Sequence, residues 1–180
     1  MTLPNCVAYT DVVIGEIERL LIQLTEAGVR YLVVGGVAVV LHGYLRATAD
    51  LDLVIDLSPG NVATAIDVLG RLGFHPRAPV ELGAFSDAEE RANWIEEKNL
   101  QVFSVWHPEI PGFELDLFVK LPFNFDEVYA RATIARLGNT DVTVASIDDL
   151  VEMKRKAGRP RDQEDIEALL ALQEANERRT

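Results

Sequence analysis

The sequence predicts a mixed α/β domain, and three observations carry that reading. Segments with apolar residues three and four apart are interleaved with short apolar or alternating runs, the marks of helices and strands. Glycine or a Gly/Pro pair punctuates most of the boundaries. The strand-like runs do not alternate steadily with helices, which argues against a doubly wound parallel sheet.

Taken in order, Asp11 to Ala27 has helical periodicity, with Ile14, Ile17, Leu20, Leu21 and Leu24 on one inward stripe and Gly28 as its stop. Tyr31-Leu-Val-Val34 reads as a buried strand, ended by Gly35-Gly36. Val37 to His42 starts a short helix capped by Gly43. Leu51 to Asp56 alternates as a second strand. Ser58-Pro59 opens a helix, Ser as N-cap and Pro in the first turn, that turns Val62, Ala65, Ile66 and Leu69 inward and closes at Gly73.

Beyond it, Asp87 to Asn99 is a polar helix. Leu100 to Trp106 and Phe113 to Lys120 form a hairpin around Pro108…Pro111-Gly112. Phe125 to Ala132 is a short helix. Thr133 to Leu137 and Val142 to Ala145 flank a turn at Gly138-Asn139. Ser146 and Asp149 resemble a capping box for a helix to about Ala157. Gly158-Arg-Pro160 breaks the chain before a last helix from Asp162 to about Glu177. No repeat, low-complexity stretch or linker divides the chain. It reads as one domain over 1–180, with the N-terminal helix 11–27 and the C-terminal helices 146–177 packing on it.

Composition narrows the class. The chain has 180 residues, 48% of them apolar, enough for a real core and too apolar for the disordered class. Cys6 has no partner cysteine, so no disulfide scaffold exists, and near the terminus it reads as incidental. The longest apolar stretch, Tyr31 to Leu41, is too short to span a bilayer, and the N-terminus lacks the basic region of a signal peptide. The expected compartment is the cytoplasm. With 17 Lys+Arg against 29 Asp+Glu, the net charge of −12 argues against a general nucleic-acid coat. A local basic site remains open at Lys154, Arg155, Lys156, Arg159 and Arg161.

The candidate chemistry begins at Gly35-Gly36. A strand runs into two glycines that open a helix. Glycine admits close approach of a phosphate, and a helix start offers free N–H groups. Asp50 and Asp52 stand two apart on a strand, so their carboxylates share one face, ~6–7 Å apart along the chain. Paired carboxylates beside a phosphate cradle suit Mg²⁺, and two such ions can clamp both sides of an in-line phosphoryl displacement. In Phe113-Glu-Leu-Asp-Leu-Phe118, Glu114 and Asp116 point together, and Asp116 placed beside Asp50 and Asp52 would complete the cluster as metal ligand or proton acceptor.

These residues resemble the signature of the DNA-polymerase-β-like nucleotidyltransferase superfamily: Gly35-Gly36, thirteen residues, then Asp50-Leu-Asp52. The version with Gly-Gly-Val-Ala, His42-Gly43, Arg46-x-Thr48 and Asp50-Leu-Asp52-Leu is most similar to the small prokaryotic minimal nucleotidyltransferases, a branch that includes components of toxin–antitoxin and abortive-infection systems. The tail from Lys154 to Asp165 resembles that branch too. The likeness runs from about Tyr31 to Leu170, weakest between Gly73 and Asn99. It implies a small mixed β-sheet flanked by helices. It implies Asp50, Asp52 and Asp116 as metal ligands and catalytic carboxylates, and Gly35 and Gly36 along the triphosphate. Arg46, Thr48 and Lys154 are further nucleotide-binding candidates. One departure is Val37, where many active members carry Ser against a terminal phosphate.

Each residue also has a plainer use. Alternating Leu/Asp fits any half-exposed strand, and paired glycine is commonest in tight turns. His42 reads as a packed or helix-terminal histidine. Arg46 could pair with an Asp across the site, and Thr48 could hold the turn before the strand. Arg155 and Lys156 suit a helix C-terminus. Arg159, Asp162 and Asp165 are expected to form a structural ion-pair network, while Lys154 is expected to reach the site. Trp94, Trp106 and the seven Phe read as core or partner-facing.

The reading that follows is a Mg²⁺-dependent nucleotidyltransferase, binding two ions and transferring NMP from an NTP to a hydroxyl of tRNA, protein or a small molecule. The alternative is a module of low catalytic power on the same fold that holds nucleotide or a partner. Either could belong to a toxin–antitoxin pair with a cognate protein, and no membrane partner is expected.

Overall fold

The structure is a computed structural model that describes residues 5–48 and 50–178. Side chains before Ile14, Cys6 among them, lie outside the described set. Seven strands form one mixed sheet: β1 (Tyr31–Val34), β2 (Asp50–Ile55), β3 (His75–Pro76), β4 (Val102–Trp106), β5 (Glu114–Phe118), β6 (Thr133–Leu137) and β7 (Thr140–Val144), ordered β3-β4-β5-β2-β1-β7-β6. The helices are α1 (Asn5–Glu26), α2 (Gly35–Leu41), α3 (Pro59–Leu72), α4 (Ala88–Lys98), α5 (Phe125–Ala130), α6 (Ile147–Ala157) and α7 (Pro160–Glu177). This is the small mixed sheet flanked by helices that the sequence implied.

Two parallel pairings shape the middle. β1 is antiparallel to β2 and parallel to β7, while β2 is parallel to β5. β4 and β5 form the expected hairpin, and β6 and β7 form another. Strand alternation then sorts side chains by face. Leu51, Leu53, Leu115, Leu117, Phe103 and Val105 are fully buried in one continuous core. Trp94 of α4 stacks on Phe103 at 5.2 Å between ring centroids, and Phe85 meets the same ring at 5.3 Å. Asp50, Asp52, Asp116 and Ser104 occupy the opposite face.

Local chemistry explains most boundaries. Asp87 caps α4 by accepting from Glu89 N–H, and Ser146 caps α6 by accepting from Asp149 N–H. Asp149, buried, then receives both Arg131 Nε and Nη2. Gly73 and Gly158 end α3 and α6 in the left-handed conformation that glycine adopts without steric cost.

Several sequence expectations are corrected. Ser58 sits at the N-cap of α3 but its hydroxyl makes no capping bond; its N–H donates to the Asp56 carboxylate at 3.0 Å, so an Asx-type turn shapes the entry. Ile14, expected on the inward stripe, is 45% exposed. The last helix begins at Pro160 rather than Asp162, because Pro suits the first helical position, where no N–H is needed. β3 and a 3₁₀ turn over Leu82–Ser86 carry no clear sequence signal: β3 is two residues long and exists through its pairing with Trp106 and Val105.

Candidate active site

Sheet register assembles the carboxylates. Between parallel β2 and β5, Asp52 lies opposite Asp116 and Asp50 opposite Glu114. Four carboxylates therefore stand on one face of two neighbouring strands. Their partners differ. Glu114 is paired with Arg77 at 2.9 Å. Asp116 Oδ1 accepts from Ser104 Oγ at 2.5 Å. Asp50 and Asp52 have no ion pair and no hydrogen bond to their carboxylates among the described residues. The two carboxylates of β5 thus differ in surroundings: Arg77 is paired with Glu114, while Asp116 stands beside Asp52.

The electrostatics follow from burial and crowding. Burial is the main force raising Asp52, with Asp116 and Asp50 adding to it; its pKa moves from 3.8 to about 6. Burial also raises Asp116, against the opposing effect of the Ser104 hydrogen bond. Asp50 is raised by burial and then by Glu114. Arg159 and Lys154 pull Asp52 the other way.

The glycines are required by these same side chains. Gly35 has φ +65°, and a Cβ there would overlap the Asp52 carboxylate and come 2.9 Å from Asp52 Cβ. A Cβ on Gly36 would strike the Arg46 guanidinium and lie 2.5 Å from Thr48 Oγ1. Val34 is extended and Gly35 opens α2, so the turn from strand to helix falls directly over the carboxylates.

The remaining candidates sit around a cleft of about 1080 Å³ whose walls include Gly35, Gly36, Asp50, Asp52 and Asp116. Arg46 and Thr48 also line it. Arg46 Nε lies 3.3 Å from Asp165 Oδ1 as an ion pair without hydrogen-bond alignment. Thr48 Oγ1 donates to the Asp50 carbonyl at 3.4 Å, which is the turn-holding use. His42 ends α2 and its Nε2 meets the Ala145 carbonyl at 2.8 Å, a packed helix-terminal histidine.

At the tail the structure shows how the cations are partnered. Lys154 borders the cleft, but it is buried and its Nζ is held by Asp165 at 2.7 Å and Asp162 at 3.5 Å. Asp162, Asp165, Lys154 and Arg46 form the structural network. Arg159, expected within it, has no salt bridge among the described residues; its backbone joins instead, the N–H donating to Asp162 Oδ2 at 3.0 Å and the carbonyl accepting from Asp162 N–H at 2.9 Å. Packing of α6 against α7 decides this, and sequence spacing does not show it.

Among the described residues, no three His, Cys, Asp or Glu side chains form a ready-made metal cage. By chemistry the carboxylate face nonetheless fits a hard divalent cation: the donors are all oxygen, crowded, partly desolvated and, at Asp50 and Asp52, unpaired.

A mixed sheet that seats paired carboxylates under a glycine-opened helix places this protein in the nucleotidyltransferase class of folds. The chain belongs to the family described as "Nucleotidyltransferase of unknown function (DUF6036)", which matches residues 12–176. No curated protein is a significant match. Among solved structures, the lincomycin-bound lincosamide antibiotic adenylyltransferase LnuA aligns with TM-score 0.61 and 16% identity, over 88% of this chain and 96% of that one. ANT(2″)-Ia in complex with adenylyl-2″-tobramycin aligns with TM-score 0.61 and 14% identity, over 91% of each chain. An antigenic nucleotidyltransferase-like protein from Paracoccidioides brasiliensis aligns with TM-score 0.52 and 16% identity, over 91% of this chain and 74% of that one. These likenesses show the fold. No described helix is long and apolar enough to cross a membrane.

Proposed function

We propose that this chain transfers a nucleotidyl group from an NTP to the hydroxyl of a small-molecule acceptor, with Mg²⁺ held by Asp50, Asp52 and Asp116. The observation that carries this reading is the β2–β5 register, which sets Asp116 beside Asp52 in the cleft that Gly35 and Gly36 also line. Bound divalent ions would supply charge neutralisation for the transferring phosphoryl oxygens. The acceptor oxygen bonds to the α-phosphorus while the bond from that phosphorus to the bridging oxygen breaks, and pyrophosphate leaves. Asp116 takes the hydroxyl proton. Ser104 occupies its Oδ1, which leaves Oδ2 for that proton, and burial raises its basicity.

A small acceptor suits the cleft volume and the net charge of −12 better than an extended RNA. The structural neighbours captured with lincomycin and with adenylyl-tobramycin are consistent with that choice. Asp50→Asn is expected to abolish transfer of labelled nucleotide with the circular dichroism spectrum unchanged; retained transfer would exclude Asp50 from the chemistry.

A second reading is a module of low turnover that holds nucleotide or a partner protein. Val37 favours it, because a buried aliphatic side chain stands directly after the glycines and offers no hydroxyl to a phosphate. Metal-dependent NTP binding without product across several acceptors would support it. Membership of a toxin–antitoxin pair would show as growth arrest on expression, relieved by a neighbouring gene.

A further inference from the structure

The cations around the cleft are not equivalent. Five of them border it: Arg46, Lys154, Lys156, Arg159 and Arg161. Asp165 takes up Arg46 and, with Asp162, Lys154. Lys156 is paired with Glu152 at 2.7 Å. Arg159 and Arg161 have no salt bridge among the described residues. Of these two, Arg159 is the one whose charge acts on both Asp52 and Asp116.

The backbone of Arg159 is also fixed. Pro160 follows it and restricts it to the extended region, where φ is −76° and ψ 149°. Asp162 holds its N–H at 3.0 Å and, through its other oxygen, reaches Lys154. Lys154 is in turn anchored on Asp165. A buried ionic network therefore ends in a pinned backbone carrying an exposed guanidinium at the cleft wall. Guanidinium is the cation suited to bidentate contact with phosphate oxygens.

We propose that Arg159, and not Lys154, is the side chain that binds the polyphosphate of the nucleotide, with the Lys154–Asp162–Asp165 network positioning it. This rests on the nucleotidyltransferase reading above. Lys154 would have to break a buried contact to reach a phosphate, whereas the Arg159 side chain is exposed at the cleft and has no salt bridge among the described residues to break.

The test is calorimetric titration of wild type, Arg159→Ala and Arg159→Lys with ATP, GTP, CTP and UTP in Mg²⁺, with inorganic tripolyphosphate as competitor. Arg71→Ala, a surface site paired with Asp67 on α3, is the control. Arg159→Ala is expected to weaken the bound NTP roughly tenfold or more and to abolish competition by tripolyphosphate. Arg159→Lys should recover part of the affinity, and thermal midpoints should be unchanged. Wild-type affinity in Arg159→Ala would overturn the inference while leaving the nucleotide reading intact. A lowered thermal midpoint with unchanged tripolyphosphate competition would overturn it in favour of a structural role. Absence of NTP binding in the wild type would overturn both.

Discussion

Gly35 and the Asp52 carboxylate share space that an alanine methyl group would need. A left-handed backbone costs a non-glycine residue about 1–2 kcal/mol before any clash, and here Asp52 Cβ, not only the flexible carboxylate, stands in the way. Gly35→Ala is therefore expected to lose at least about 1–2 kcal/mol in urea denaturation and to weaken Mg²⁺-dependent nucleotide binding as Asp52 is displaced. Full stability and full binding in this variant would contradict the geometry. Asp52 gives a second prediction. Its folded-state pKa is raised, so its carboxylate binds a proton more tightly in the fold than in the unfolded chain. Stability from this group is present below about pH 4 and falls as pH rises towards 6. A rise from 3.8 to about 6 corresponds to roughly 3 kcal/mol. In chelator, Asp52→Asn should be more stable than wild type at pH 7 and nearly equal at pH 4. A difference independent of pH would contradict the assignment. The alternation Leu/Asp/Leu made the shared face of Asp50 and Asp52 legible in the sequence. The alternation alone does not separate Asp116 from Glu114, which share a face. The preference for Asp116 came with the family resemblance, and what distinguishes the two in the structure, the β2–β5 register and the Arg77–Glu114 pair, is not visible in the sequence.

At the scale of elements, α6 and α7 are joined by charge in the interior. Asp165 is 2% exposed and meets both Lys154 and Arg46. Removing one partner of a buried pair strands the other, a cost of about 3–5 kcal/mol. Asp165→Asn should show that loss in denaturant unfolding. Lys154→Met should show a comparable loss, and the double variant Lys154→Met/Asp165→Asn should lose less than the sum of the two singles, because each change already strands the other's partner. Losses that simply add would show that the network is not the source. The end of α6 was legible, because Gly158 is a local signal; the start of α7 was read two residues late, at Asp162, because proline both breaks a helix and opens one. That Lys154 and not Arg159 is ion-paired with Asp162 and Asp165 was not legible, because it is set by which side chains α7 turns toward α6. β3 and the Leu82–Ser86 turn escaped for a related reason: one exists only by pairing, the other by packing Phe85 on Phe103.

Across the whole molecule, one sheet performs two tasks with its two faces. One face closes a leucine-, valine- and phenylalanine-rich core. The other presents carboxylates to a cleft bounded by α2 and the α6–α7 pair. The mixed strand order is what makes this work, because the parallel β2–β5 pair aligns Asp52 with Asp116 while antiparallel β1 brings Gly35 over them. The class of fold was legible from the strand and helix pattern together with the glycine–aspartate spacing. The acceptor was not, since the cleft draws its wall from six or more separate elements. The net charge of −12 predicts no retention on heparin at physiological salt, against the retention an extended RNA-binding surface would give. The central claim is that Asp50 and Asp52 organise a nucleotide site. Calorimetric titration of ATP, GTP, CTP and UTP with Mg²⁺ against wild type and Asp50→Asn/Asp52→Asn tests it most directly. The account predicts Mg²⁺-dependent binding of at least one NTP in the wild type and its loss in the double variant; equal binding in both, or none in the wild type, would contradict it.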